Sequence, residues 1–504
     1  MTAGALGALA QRALKWSALT TVARFALQFV AQVALARLLG PGNFGVYGIG
    51  MVVLTFVGFL SGASFSYSLM LAPRVNEEDI RFAFTWQMIA GILAAAAMYA
   101  AAAPLAVFFG DARVEGMVQL LSLASLLIAA TAPSTYLLQR DLDFRTLGLI
   151  QLASYAAGYL LVGVPLALAG FGAWALGMAC VVQAAVALGA TYRAKPHPLR
   201  PLWRHADGSD ALVTGRNVFL TNVVNWLLGN LDRVIIGRAL DAHAVGLYTL
   251  AYNLASIPNA LVLGALQPTF LATGARLQDE GSRLARGWLL AVACILVLGT
   301  PAAVVLALLS HDIVQLLYGQ AWVESAWVLG LMFLCLPAWA AWGLSTPVLW
   351  NTNRKQYEFL LQLPLLAVAV PAWWLLAPSG IRSVAWVSAG VILARAVIII
   401  AAALRALGLR GRTILGYLVR GLGLSALCVL AALGGLHAVA GLASPLAALI
   451  AGGAGAALVM LLVLLLRPSA LGHEALAAMA QLSPRVSARI ARSAAMTDSR
   501  GTVA

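Results

Sequence analysis

The chain has 504 residues, of which 62% are hydrophobic and only 10% are charged. A soluble domain carries about 25% charged residues, so this composition excludes a soluble enzyme with an ordinary hydrated surface. The net charge of +14 would indicate nucleic-acid binding in a soluble protein. Here, however, the basic residues stand in short breaks between apolar runs, as in loops that orient membrane helices.

Apolar runs long enough to cross a bilayer recur along the whole chain. Because about 20 apolar residues suffice for one crossing, the pattern predicts an all-α integral membrane protein with about 14 transmembrane helices. The least distinct break is at Phe171, where 147–192 is too long for one helix. The predicted spans are 16–39, 44–71, 82–109, 117–138, 147–170, 172–192, 214–238, 245–271, 287–310, 322–350, 357–377, 383–404, 414–440 and 444–466.

The placement of Lys and Arg predicts the orientation of these spans. If the N-terminus lies in the cytoplasm, basic pairs such as Arg140 and Arg145 fall in cytoplasmic loops, whereas Arg113 and Arg382 fall outside. Lys and Arg are enriched on the cytoplasmic side of membrane proteins. The bias does not reverse along the chain, which predicts an even number of spans and two cytoplasmic termini.

An internal repeat joins the two halves of the sequence. Residues 37–47 and 238–248 share Arg, Leu, Gly and Tyr at the same spacing, which is an offset of 201 residues. Two later echoes keep the same order, and the offset reaches 211 residues: Phe109-Gly110 with Tyr318-Gly319, and Gln151-Leu152 with Gln362-Leu363. Six spans per repeat predict two six-helix lobes in the same orientation, an arrangement found in some transporters.

The repeat also predicts the domain organisation. An N-lobe over 1–192 and a C-lobe over 214–404 are joined by a cytoplasmic loop over 193–213. Two extra C-terminal helices over 405–467 and a basic cytoplasmic tail over 468–504 follow. In parallel-repeat transporters the substrate path lies between the lobes. The repeat therefore favours a transport function for this protein. A duplication that is kept only for helix packing would leave the same pattern. The tail is compatible with an interfacial helix or with disorder.

A polar stripe runs along the first span. Arg24, Gln28 and Gln32 recur every four residues and so share one helical face. A charge at the bilayer centre costs about 2.5–3.5 kcal/mol on insertion scales. Arg24 therefore either reaches towards the cytoplasmic interface or faces a polar lumen, and the two glutamines favour the lumen.

The seventh span is the most polar. Its polar face comprises Asn222, Asn225, Gly229 and Asp232. Such a face lines a cavity or bonds to other helices. Adjacent residues point apart on a helix, so we expect Asp232 to pair with another helix rather than with Arg233, and Arg24 is one candidate partner. Asp232 is also our candidate for coupling to an ion.

Arg395 lies in the middle of the twelfth span without an acid nearby in the sequence. Arginines outnumber acids within the spans, and a cationic lumen suits an anionic substrate, phosphate in particular. We therefore predict that substrate binds at Arg24, Gln28, Asn222, Asn225 and Arg395. The sequence has no P-loop, dinucleotide loop, nucleophile elbow or metal-spaced cluster, so we expect no catalytic residue, metal or cofactor.

Three segments carry a family resemblance: 35–47, 138–145 and 230–248. They resemble the end of the first helix, the fourth cytoplasmic junction and the seventh helix of bacterial polysaccharide flippases. The likeness spans most of the chain and weakens after about residue 410. The chain is similar to the Wzx-type polysaccharide transporter family, nearest to lipopolysaccharide and colanic-acid exporters, of the multidrug/oligosaccharidyl-lipid/polysaccharide exporter superfamily.

The resemblance implies a function in the bacterial inner membrane. The substrate would be a polyprenyl pyrophosphate-linked glycan, moved from the cytoplasmic to the periplasmic leaflet by alternating access coupled to an ion gradient. Arg24 matches a basic first-helix position of related flippases. A polysaccharide polymerase and a chain-length regulator are the expected protein partners, and no nucleic acid is expected.

Three alternatives stay open at the level of sequence. A drug or cation antiporter of the same superfamily would favour a lumen rich in acids. A lipid II flippase would share the fold and differ in substrate. A membrane-embedded polymerase or ligase would be expected to carry a large periplasmic loop, which the predicted spans leave no room for.

Overall fold

The computed structural model describes residues 3–60, 66, 69, 75–203, 208–276, 281–352, 358, 360–442 and 444–482. These residues are mostly helical and include no β-strand, which confirms the all-α prediction. Ten helices in the described part are long and apolar enough to cross a membrane. The chain is therefore a multi-pass membrane protein, and the predicted total of about 14 spans stays a prediction.

The helices fall into two compact units, Met1–Thr249 and Leu250–Ala504. The helices of the first unit are α1 Ala3–Leu60, α2 Glu77–Ala100, α3 Ala102–Phe109, α4 Arg113–Arg140, α5 Phe144–Leu168, α6 Ala173–Ala194, α7 Gly208–Ala239 and the first part of α8, Ala242–Arg276. The predicted break at Phe171 is confirmed, since α5 ends at Leu168 and α6 begins at Ala173.

A kink interrupts α1 at Gly40, between the first two predicted spans. Gly40 has φ 70° and ψ 171°, and Pro41 follows it. This backbone region is essentially restricted to glycine, and proline lacks the N–H that would continue the helical hydrogen bonds. The Gly40-Pro41 pair therefore ends one helical segment and begins the next without an intervening loop.

The two copies of the repeated motif pack against each other within the first unit. A Cβ atom on Gly45 would lie 1.6 Å from the backbone oxygen of Ala242, and one on Gly246 would lie 2.1 Å from that of Pro41. Each glycine thus accepts the backbone of the other copy. Close backbone approach through small residues is a common way to pack membrane helices, and it explains why both copies carry glycine at this position.

A second echo of the repeat marks two helix ends. Gly110 follows Phe109 at the end of α3 with φ 67°. Gly319 follows Tyr318, the last residue of a helix in the second unit, with φ 86°. Glycine adopts positive φ at little cost. The repeated glycine therefore has the same role in both halves, which is to end a helix with a positive φ.

The loop that follows α6 is held against the ends of α2 and α4. Lys195 forms an ion pair with Asp141, and the backbone N–H of Leu202 donates to Thr85 Oγ1 at 2.9 Å. His197 is buried between two rings, 5.1 Å from Phe84 and 5.4 Å from Tyr192 between centroids. The described part of the predicted inter-lobe loop, 193–203, is thus a packed segment.

Acidification should loosen this loop. Burial lowers the pKa of His197 from its ordinary value, so the folded loop favours the neutral ring. The loop is most stable above the ordinary histidine pKa of about 6.5, and that stability is lost as the pH falls from there towards the lowered value. A spin label at Leu199→Cys should become more mobile at pH 5 than at pH 7.5. An equal response in a His197→Gln background would contradict this assignment.

The second unit holds the remaining helices. They are the rest of α8, then α9 Ser282–Leu308, α10 Ser310–Tyr318, α11 Ser325–Asn351, α12 Leu363–Leu376, α13 Ile381–Leu407, α14 Gly411–Val439, α15 Pro445–Leu466 and α16 His473–Leu482. Its core centres on Trp288 of α9 and Leu344 of α11. Leu471 and Ala475 join that core, so the start of the predicted tail packs as α16. Arg485, Arg489 and Arg492 lie outside the described residues.

Candidate functional site

Arg24 is half-buried on α1 and bonds to a neutral partner. Its Nη1 donates to Oε1 of Gln151 on α5 at 2.9 Å. An amide accepts a hydrogen bond from guanidinium without neutralising its charge. Sequence reasoning noticed Gln151 only as part of the repeat and missed it as the partner of Arg24, because the two residues are far apart in the chain.

The stripe that continues from Arg24 contains polar atoms that no described residue satisfies. Arg24 Nε and Gln32 Nε2 are both buried and donate no hydrogen bond to any residue that the structure describes. Gln28 lies half-buried between them along α1. Buried polar atoms without a partner each cost about 1–3 kcal/mol and are uncommon in proteins. This face of α1 therefore suits a polar ligand.

Asp232 bonds to a neighbouring helix, as predicted, but its donor is a tyrosine. The Tyr248 hydroxyl on α8 donates to Asp232 Oδ2 at 2.6 Å, and the backbone N–H of Arg233 donates to Oδ1 at 2.8 Å. The suggested partner, Arg24, donates to Gln151 instead. Asp232 is only 2% exposed. Its carboxylate is thus held deep in the first unit by a residue of the repeated motif.

The rest of the polar face of α7 is only partly described. Asn225 is half-buried, and the side chain of Asn222 lies outside the described part. Between Asn225 and Asp232 the helix is anchored by Trp226, whose Nε1 donates to Thr55 Oγ1 at 3.1 Å and whose ring packs on Phe56. The roles of Asn222 and Asn225 in substrate binding stay predictions.

Removing the Tyr248 hydroxyl should destabilise the protein more than removing the hydroxyl of Tyr47, which holds the equivalent position in the repeat. Tyr248→Phe leaves a buried carboxylate short of a donor, and a hydrogen bond to a charged group is worth about 1.5–3 kcal/mol. Tyr47 occupies the equivalent position and bonds to the neutral Tyr159 hydroxyl at 2.6 Å, a bond worth about 0.5–1.5 kcal/mol. Thermal unfolding in detergent should therefore show the larger shift for Tyr248→Phe. Equal shifts would contradict the importance of the Asp232 bond.

Arg395 forms a second cationic site, in the second unit. The residue lies on α13 and is 7% exposed. Its Cζ atom lies 3.7 Å from the ring centroid of Trp342 on α11, so the guanidinium stacks on the indole face. Cation–π stacking of this kind is strongest with tryptophan and in desolvated surroundings.

The second unit also contains a buried acid, to which the sequence analysis assigned no role. It is Glu358, which precedes α12. Glu358 is 5% exposed, and Trp350 Nε1 donates to its Oε2 at 2.7 Å. Each unit therefore contains an arginine that lies at least half-buried within apolar helices.

Comparison with known proteins relates the chain to polysaccharide biosynthesis proteins. A family model described as "Polysaccharide biosynthesis protein" matches residues 34–327. The succinoglycan biosynthesis transport protein ExoT of Rhizobium meliloti (strain 1021) is 26% identical over 323 residues, which are 64% of this chain and 65% of the relative. The lipopolysaccharide biosynthesis protein WzxC of Escherichia coli (strain K12) is 24% identical over 328 residues, 63% of this chain and 65% of that protein.

These matches span about 65% of the length of the curated relatives. Arg24, Glu358 and Arg395 lie outside the segment matched by the family model. A solved structure titled lipid II flippase MurJ, inward closed conformation, covers 88% of this chain and 97% of its own, with a TM-score of 0.66 and 13% identity; that likeness concerns the fold alone. With more than half of its length matched, the chain belongs to the family described as "Polysaccharide biosynthesis protein", as the resemblance in its sequence predicted.

Proposed function

We propose that this protein is a flippase. It moves a polyprenyl pyrophosphate-linked oligosaccharide from the cytoplasmic to the periplasmic leaflet of a bacterial inner membrane, for synthesis of lipopolysaccharide O-antigen or exopolysaccharide. The proposal includes about 14 spans, two six-helix lobes over 1–192 and 214–404, and both termini in the cytoplasm. The lobes give alternating access to a site lined by Arg24, Gln28, Asn222, Asn225 and Arg395.

The observation that carries this proposal is the state of Arg24 within the family fold. A guanidinium in an apolar helix, bonded to neutral Gln151 and with Nε unsatisfied among the described residues, is suited to a doubly charged phosphate group. A cation substrate would be repelled by it. The family match supports a glycan precursor, and the diphosphate is the anionic part of such a lipid.

Coupling to an ion gradient through Asp232 is part of the proposal. The carboxylate is buried and bonded to Tyr248, so a change in its charge would alter the contact between α7 and α8. A polysaccharide polymerase and a chain-length regulator are the proposed protein partners, because the flipped glycan needs both to become a polymer.

A deletion strain tests the proposal. Its polyprenyl-linked glycans are extracted, and their leaflet is mapped by protection from added periplasmic glycosidase, with a complemented strain as the control. We expect intermediates protected on the cytoplasmic side and loss of surface polysaccharide. Normal polysaccharide with no accumulated intermediate would contradict the proposal and favour the antiporter alternative, for which sensitivity to toxic cations is the next test.

A further inference from the structure

We propose that Gln151 is a positioning and specificity-determining residue of the anion site at Arg24. In this proposal, which rests on the proposed function for the identity of the substrate, the neutral amide of Gln151 orients the guanidinium without compensating its charge. The amide nitrogen of Gln151 then donates to the second phosphate of the diphosphate, so the pair distinguishes a diphosphate from a monophosphate.

The contact between the two residues joins two helices. Arg24 Nη1 on α1 donates to Oε1 of Gln151 on α5 at 2.9 Å. Both side chains are half-buried, so the bond is partly withdrawn from water. A guanidinium carries five N–H groups in a rigid, planar fork. The bond to Gln151 uses one of them and thereby restrains the direction in which the others point.

Close packing of α1 against α5 sets the reach of this contact. A Cβ atom on Gly148 would lie 2.3 Å from Thr20 Oγ1 and 2.5 Å from Thr20 Cβ, so a larger residue would separate the two helices there. Thr20 precedes Arg24 by about one turn, and Gly148 precedes Gln151 by about one turn. Residues one turn apart share a helical face, so this approach brings Arg24 and Gln151 together.

The charge of Arg24 is not compensated by this partner. An amide oxygen accepts a hydrogen bond but carries no formal charge. The ion pairs described in this unit, Arg113 with Asp111 and Lys195 with Asp141, do not involve Arg24. Because cations withdrawn from water are usually paired with acids, an arginine bonded to an amide keeps its charge available for an anionic ligand.

Gln151 also provides donors beside the cation. While its Oε1 accepts from Arg24, the same amide has two N–H groups on Nε2. Ionised phosphate groups accept hydrogen bonds, and the guanidinium fork suits the oxygens of one phosphate. The neighbouring amide nitrogen suits an oxygen of the next phosphate. A glutamate at position 151 would replace these donors by a charged oxygen and would compete with the substrate for Arg24.

Calorimetry on the purified full-length protein in detergent tests this role, with geranyl diphosphate and geranyl monophosphate as the two probes. Gln151→Leu removes the acceptor and the donors with little change in volume. Gln151→Glu keeps an acceptor and adds a charge. The ratio of the two affinities reports on the second phosphate, whereas a loosened pair of helices would weaken both probes alike.

We expect Gln151→Leu to bind the diphosphate about tenfold more weakly, because a bond to a charged group is lost, and to bind the monophosphate nearly as wild type does. Gln151→Glu should weaken both probes by about tenfold or more, because its carboxylate pairs with Arg24. If Gln151→Leu fails to fold, Gln151→Asn, which has a shorter amide side chain, takes its place with the same expectation.

The unfolding temperature shows whether residue 151 acts through Arg24. Gln151→Glu alone should be as stable as wild type, because its carboxylate has a cation as its partner. In an Arg24→Gln background the same substitution should lower the unfolding temperature, because a carboxylate withdrawn from water is then left without that cation. Equal shifts in the two backgrounds would contradict the contact.

Gln119 provides a matched control for the added charge. It is a half-buried glutamine of α4 in the same unit, and its Nε2 donates to the acid Glu115, at 3.3 Å from Oε1, rather than to an arginine. Gln119→Glu should therefore bind both probes as wild type does.

Three results would overturn the proposal: an equal loss of affinity for both probes in Gln151→Leu, unchanged affinities in Gln151→Leu or Gln151→Glu, or no binding of the diphosphate to wild type. Export by wild type in the complemented deletion strain is scored separately. Normal export together with one of these results would reject only the role of Gln151, whereas a lack of export by wild type would reject the proposed function.

Discussion

Replacing Arg24 by alanine should abolish export of the glycan while the protein still reaches the membrane. Arg24 bonds to Gln151 through Nη1, and its remaining N–H groups are those that a diphosphate would engage. One charge-assisted hydrogen bond is worth about 1.5–3 kcal/mol, which corresponds to about a 10- to 150-fold loss of affinity. Guanidinium usually makes two such bonds to phosphate. Surface polymer in a complemented deletion strain measures the effect, and immunoblotting of membranes measures insertion.

Two further variants make this result specific. Arg37→Ala removes an exposed arginine from the same helix and should leave export near wild type. Arg24→Lys keeps the charge without the planar fork and should recover export only in part. We expect Arg395→Ala to abolish export as well. Full polymer output from both Arg24→Ala and Arg395→Ala would contradict the cationic site.

Gly45→Ala should be the most damaging small substitution in the first unit. Its added methyl group would lie 1.6 Å from the Ala242 backbone oxygen, and a helix backbone does not yield as a side chain does. Overpacking of a well-packed core lowers the free energy of unfolding by about 1–3 kcal/mol. A clash with backbone atoms should lower it by an amount at or above the top of that range. We expect a strong fall in the unfolding temperature in detergent and in the amount of protein recovered from membranes. Gly246→Ala should behave in the same way, because its methyl would meet Pro41.

Gly42→Ala is the control for this packing. It lies three residues before Gly45 on the same helix, and a methyl group there would meet nothing within 4 Å. Since alanine favours helix over glycine by about 1 kcal/mol, this variant should be as stable as wild type or slightly more so. A Gly45→Ala protein as stable as Gly42→Ala would show that the two motif copies do not pack as described.

The sequence predicted best those features that depend on local pattern. Helices follow from apolar runs, and the division of α1 follows from Gly40 and Pro41, whose backbone preferences are intrinsic. The repeat identified Gly45 and Gly246 as equivalent. The repeat did not predict that each glycine packs against the helix of the other motif copy. A shared spacing shows that two positions are equivalent, but it does not show whether they are in contact.

Partners of the charged residues were the part that sequence predicted least well. Asp232 was expected to bond to another helix and does, but its donor, Tyr248, had been noted only as a motif residue. Gln151, which accepts a hydrogen bond from Arg24, is far from it in sequence. Helical periodicity shows which residues share one face of one helix. Partners on other helices depend on how the helices pack, and the spacing of residues in a single sequence does not reveal that packing.

The most direct measurement of the central claim is flipping by the purified protein. Full-length protein is reconstituted into vesicles that carry a polyprenyl pyrophosphate-linked oligosaccharide in both leaflets, and a glycosidase is added outside. Vesicles without protein should protect the inner half of the glycan. We predict that wild-type protein exposes nearly all of it to the enzyme, whereas Arg24→Ala leaves the inner half protected. Protection of the inner half with folded wild-type protein, under an imposed ion gradient of either sign, would contradict the account.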